Sequence, residues 1–334
     1  MYRREQPVAA RSCPAALCNN LSLLPRAAPG LTQFALVLGP SLQLLSAAPA
    51  GQPVAQRQLR AKEGPGLGAP LITQARWCVL PFRALLVLTS QRGVQMYEAD
   101  GSAMVHWHAL DTRSASPAQA LFARGIAACG HYICVGTWSG RVLVFDVPVK
   151  GHNIVLSEEL EEHQAPITDI AAEPAQGQDC VADVVTADDS GLLCVWKSEP
   201  EFKLLTRISG FGTPCNSVQL WQGTVSAGYG DGQICIYEAS TGALHVQINA
   251  HARAISALDL APEVGKLLSG AEDSFVHIWK LSRNPDSGCI EAEHCHAECV
   301  TDTQVCGARF CDPRGFSFAV TGYDLAEILR YSCV

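Results

Sequence analysis

Charge is scarce in this chain. Asp, Glu, Lys and Arg make up only 17% of its 334 residues, and the formal net charge is −8. Arg3, Arg4 and Arg11 are too sparse to form a basic block. Tracking a phosphate backbone needs clustered Lys and Arg, so the reading excludes direct nucleic-acid binding. Long apolar runs are also missing. The most apolar stretch, Phe34 to Ala50, is broken by Gly39, Pro40 and Pro49, which leaves nothing able to span a bilayer. Pro7, Arg11, Pro14, Pro25 and Arg26 interrupt the first thirty residues, so no secretory signal is read there. Fifteen cysteines without such a signal are expected to be reduced thiols. Together these features predict a cytoplasmic protein that reaches vesicles or membranes only through partners. No helical periodicity of useful length occurs.

The motifs of common chemistries are absent too. There is no G-x-S-x-G, no H-E-x-x-H and no Walker sequence. Gly64-Pro65-Gly66-Leu67-Gly68 is glycine-rich, but neither Lys-Ser/Thr nor a helix follows it, so it reads as a loop. No catalytic residue and no cofactor is therefore expected. One region keeps a second reading open, a metal-binding or enzymatic protein using Cys289–Cys311. It holds Cys289, Cys295, Cys299, Cys306 and Cys311 with His294 and His296, all zinc-capable types, though without paired C-x-x-C spacing. The competing reading is that these cysteines are small residues of strands.

What the chain does have is a repeat. Lys266 to Lys280, KLLSGAEDSFVHIWK, reads as two strands around a tight turn, with Gly270, Glu272, Asp273 and Ser274 in the turn. Similar units end at Tyr97, Phe145, Trp196, Tyr237 and Tyr331, at spacings of 41 to 52 residues. A weaker copy lies at Thr32–Leu38 and Leu42–Ser46. Two more apolar runs fill each interval, so each unit holds four short strands. In two links a histidine, His163 or His251, precedes apolar residues at +4 and +7 and a proline at +11. Four strands per unit at this period predict an all-β chain, a single β-propeller of seven four-stranded antiparallel blades. The expected blades span roughly 15–60, 70–110, 116–160, 165–208, 214–248, 253–296 and 300–334. The last unit has no fourth strand, so residues 2–10 are expected to supply it and close the ring. Leu17 to Leu24 would then be the innermost strand of the first blade.

These residues resemble the WD-repeat family. That pattern has a His at the start of a blade, a Ser or Thr and an Asp around the second strand, and a Trp ending the third. His251, Ser269, Asp273 and Trp279 match it. His163, Thr186 and Trp196 match with Asp189, which lies one place early. The resemblance implies a structural hydrogen-bonded tetrad. It also implies a non-catalytic scaffold or adaptor for other proteins or peptide segments, in signalling, vesicle traffic or ubiquitin-linked pathways. The expected binding face is the set of turns between second and third strands. Trp138, Tyr229 and Tyr323 lie there, seven or eight residues before their anchors, with acidic neighbours Asp188, Asp231, Glu272 and Asp324.

Overall fold

Short strands of alternating bulky and small residues need apolar cover on both faces. In the computed structural model of the chain they find it as seven antiparallel sheets in a ring, a seven-bladed β-propeller. The structure describes residues 1–12, 16–24, 31–49, 51–62, 70–110, 121–173, 181–210 and 212–334. The glycine-rich stretch Gly64–Gly68 and Pro174 lie outside them. In the fourth blade the strands run outward as Ile167–Ala172, Val184–Asp188, Leu193–Lys197 and Lys203–Ile208. Its inner strands are almost wholly buried, and its outermost alternates between exposed and covered residues. The buried clusters straddle neighbouring blades. Val185 and Val195 of the fourth, for example, share one cluster with Val218 and Val225 of the fifth. Each such side chain contributes about 1.5–3 kcal/mol on full burial, so every blade depends on its neighbours.

The innermost strands line the channel: Leu21–Leu23, Ile72–Val79, Ala123–Cys129, Ile167–Ala172, Cys215–Trp221, Ile255–Ala261 and Val305–Phe310. In blades two to seven the pairing of first and second strands slips near the start of the first strand. The freed side chains tie blades together. Thr73, Thr168, Asn216 and Ser256 donate to the carbonyls of Ala123, Cys215, Ile255 and Val305, each on the next blade.

The N-terminus closes the ring as two short strands, Tyr2–Arg4 and Val8–Ala9, both paired with Glu327–Cys333. The break between them includes Pro7, which has no N–H to offer a ladder. Val8 is fully buried, and the Tyr2 ring packs edge-on against Phe318 at 5.2 Å. The expected first strand, Leu17–Leu24, is shorter than its sequence suggests, because only Leu21–Leu23 pair. Asn19 adopts a left-handed φ of 53°. Its Nδ2 reaches Asp169 Oδ2 at 3.2 Å and Ser217 Oγ at 3.1 Å, and its N–H donates to the Ser256 carbonyl at 3.0 Å. One residue of the first blade thus crosses the channel to the fourth, fifth and sixth.

Candidate interaction face

Two blades carry a buried polar chain. In the fourth, His163 Nδ1 lies 2.8 Å from Asp188 Oδ2 and Nε2 lies 2.7 Å from Thr186 Oγ1. Trp196 Nε1 donates to the same hydroxyl at 3.0 Å. In the sixth, His251 Nδ1 lies 3.1 Å from both Asp273 oxygens and Nε2 lies 2.8 Å from Ser269 Oγ, which accepts from Trp279 Nε1 at 3.2 Å. One donor order satisfies every atom: indole N–H to hydroxyl, hydroxyl to His Nε2, and His Nδ1–H to carboxylate. Burial alone would raise the Asp188 carboxyl. The bonds from His163, Ser190 and Leu192 more than offset this and hold it below its ordinary value. Asp273 is lowered in the same way, with burial opposed by His251 and the N–H groups of Ala252 and Phe275. Both aspartates also hold the turns they sit in. Asp188 Oδ1 accepts from the N–H groups of Ser190 and Leu192, and Asp273 Oδ1 from that of Phe275. The networks therefore fix the shape of the ring's rim.

That rim has a common register. In blades two to seven the first residue of the turn between second and third strands donates its N–H to the link entering the same blade. Gln91 donates to Leu71, Trp138 to Phe122, Asp189 to Pro166, Gly230 to Pro214, Glu272 to Ala254 and Tyr323 to Gln304, at 2.9 to 3.2 Å. From the third blade to the sixth this position falls seven residues before the aromatic anchor, and in the seventh, whose turn is one residue longer, it falls eight before. A one-residue slip along a strand turns a side chain to the other face.

The register corrects three expectations. The acid of the fourth blade's tetrad is Asp188, not Asp189. Asp188 is 1% exposed, so it is no part of the binding face, whereas Asp189 points to solvent. Tyr229 is not on the face either. It ends the strand Thr224–Tyr229 with 1% of its surface exposed, and its hydroxyl meets that of Tyr237 at 3.1 Å. Ala227 stands where the fourth blade has Thr186, and Tyr229 where it has Asp188. Burial and the neighbouring Cys215 push the Tyr229 hydroxyl well above its ordinary value, so it stays protonated.

Trp138 is half-buried and Tyr323 is 45% exposed. Asp231 and Asp324 are exposed, and Glu272 is half-buried. The cysteine-rich region divides between two blades. Cys295 and Cys299 lie exposed on the sixth blade's outermost strand, Ile290–Cys299, whereas Cys306 is buried on the seventh blade's innermost, Val305–Phe310. Among the described residues no three of His, Cys, Asp and Glu are gathered as a metal site.

Ring, blade order and buried His–Asp chains together define a WD-repeat β-propeller, a class whose members generally serve as protein-interaction scaffolds. The family model described as WDR54 matches residues 1–334, and the chain belongs to that family. It is 74% identical to WD repeat-containing protein 54 of Homo sapiens and 74% identical to that of Mus musculus. Both matches cover 334 residues and the whole of both chains. A chain of the solved structure "Crystal Structure of Mitotic Checkpoint Complex" superposes with a TM-score of 0.75, covering 99% of this chain and 95% of that one. At 17% identity this likeness concerns the fold alone.

Proposed function

We propose that the chain is a non-catalytic platform whose turn rim captures a segment of another protein. The observation that carries this is the order of residues around the rim. Trp138 on the third blade and Tyr323 on the seventh bracket Asp189, Asp231 and Glu272 on the fourth, fifth and sixth. The arc is acidic in the middle and aromatic at both ends. It suits a segment with basic residues between apolar ones, because charge complementarity steers encounter and desolvated aromatics supply affinity. The networks behind Asp188 and Asp273 hold the arc in shape before a partner arrives, which lowers the entropic cost of binding.

The pathway follows by family analogy: scaffolding in signalling, vesicle traffic or ubiquitin-linked processes, in the cytoplasm. The experiment is affinity capture with the intact chain and with D189K/D231K, which reverses two exposed charges. Loss of partners from a folded variant supports the acidic arc, and an unchanged partner set refutes it.

A further inference from the structure

The opposite end of the channel holds a cavity of about 390 Å³. Its mouth is formed by first-to-second-strand turns, with Pro262 and Glu263 from the sixth blade and Asp312 and Pro313 from the seventh. Toward the rim, Asn19 and its partners Asp169 and Ser217 fill the channel. Leu23, Leu24, Trp77, Leu260 and Phe310 give the cavity apolar walls.

Two arginines also line it, and they are not equivalent. Arg309 is committed. Its Nη1 pairs with Asp259 at 2.9 Å, and its Nε donates to the Leu21 carbonyl at 3.2 Å. Arg76 reaches across the channel, where Nη1 donates to the carbonyls of Ile126 at 2.9 Å and Ile170 at 3.3 Å. Its Nε and Nη2 carry no hydrogen bond among the described residues, and it forms no ion pair there. Asp169 and Asp259 act on it only through space, while burial and the like charge of Arg309 press its pKa downward. Arg76 is half-buried with no direct counter-ion among the described residues, and a guanidinium held by one nitrogen still presents a fork to a carboxylate.

We propose that this cavity binds a single carboxylate on an apolar body, with the carboxylate on Arg76 and the body against Trp77 and Phe310. Asp259, Glu263 and Asp312 line the same space, so a dianion such as hydrogen phosphate meets about twice the repulsion that a monoanion does and lacks the apolar body that offsets it. A free carboxylic acid and the C-terminal residue of a peptide share this chemistry. The site lies on the face opposite the rim and stands or falls independently of the rim's function.

The test is calorimetric titration and thermal melting of the full chain with 4-phenylbutyrate, and with a tetrapeptide ending in free Phe. Controls are the amide of each probe and inorganic phosphate. At least one carboxylate should saturate and raise the melting temperature, its amide should bind roughly tenfold or more weakly, and phosphate should not bind. Which probe binds identifies the source. R76Q should abolish binding. L24W, which enlarges a wall residue into the cavity and keeps Arg76, should do the same and serves if R76Q does not fold. Failure of both carboxylates, equal binding of an amide, saturable phosphate binding, or binding that survives in either folded variant overturns the proposal.

Discussion

Asp188 and Asp189 are neighbours in the chain and face opposite ways. The first is 1% exposed and bonded to His163 at 2.8 Å, and the second stands in solvent on the rim. Asp188→Ala should destabilise the fold by about 1–3 kcal/mol, the cost of leaving a buried partner unsatisfied. Asp189→Ala should change stability by no more than about 0.5 kcal/mol. Urea unfolding of the two variants checks this, and equal costs would contradict the assigned register.

Tyr229 fills the interior position that the fourth blade gives to Asp188. Truncating it to Ala should cost about 3–5 kcal/mol through the cavity left behind. Tyr229→Phe keeps the ring, removes the hydroxyl that meets Tyr237, and should cost about 1 kcal/mol, well below the truncation. If Tyr229→Ala melted like the intact chain and lost partners instead, the interior placement would be wrong.

Closure depends on the N-terminal strands. Deleting residues 1–10 removes the ladder to Glu327–Cys333, the buried Val8 and the Tyr2–Phe318 contact. Each lost ladder bond is worth roughly 1 kcal/mol, so the melting temperature should fall markedly. An unchanged melt would show that the ring closes without them.

Acid should weaken the sixth blade before it reaches the carboxylates. His277 Nδ1 sits 2.9 Å from His294 Nε2, and its ring lies 4.7 Å from that of His251. Burial, with His251 and His294 adding to it against the opposing Asp273, lowers its pKa from 6.5 to about 4. Between those values the unfolded chain binds the extra proton, so stability should fall as pH drops through that window. The half-buried His106 and His108 are lowered as well and add to the slope. Asp188 and Asp273, held below the ordinary carboxylate value, keep their contribution through the window and lose it only in stronger acid. Urea unfolding at several pH values should give His277→Gln a flatter profile, and a profile parallel to the intact chain's would refute this origin.

The architecture was legible because period and alternation are local signals. The spacing of Phe145, Trp196, Tyr237 and Trp279 reports strands directly, and the histidines at His163 and His251 mark the links before two blades. The register of the turns was harder to read. Counting from the aromatic anchor cannot separate positions seven and eight, which lie on opposite faces. Counting from the turn residue with positive φ does: Gly140, Gly191, Gly232 and Ser274 each follow the rim position by two residues. On that count Tyr229 and Asp188 fall inside and Asp189 falls outside. The role of Asn19 and the cavity at Arg76 left no such mark, because both arise from contacts between residues of distant blades.

The acidic, aromatic-flanked arc is the central claim, and one comparison tests it most directly. The intact chain and W138A/Y323A are used as baits in quantitative affinity capture, with thermal melting recorded for both. Tyr323 is exposed and Trp138 half-buried, so the variant should melt close to the intact chain. Each anchor lost from an interface should cost about 2 kcal/mol or more of binding, so captured partners should fall by well over tenfold. A folded variant that retains the same partners at the same yield would contradict the claim.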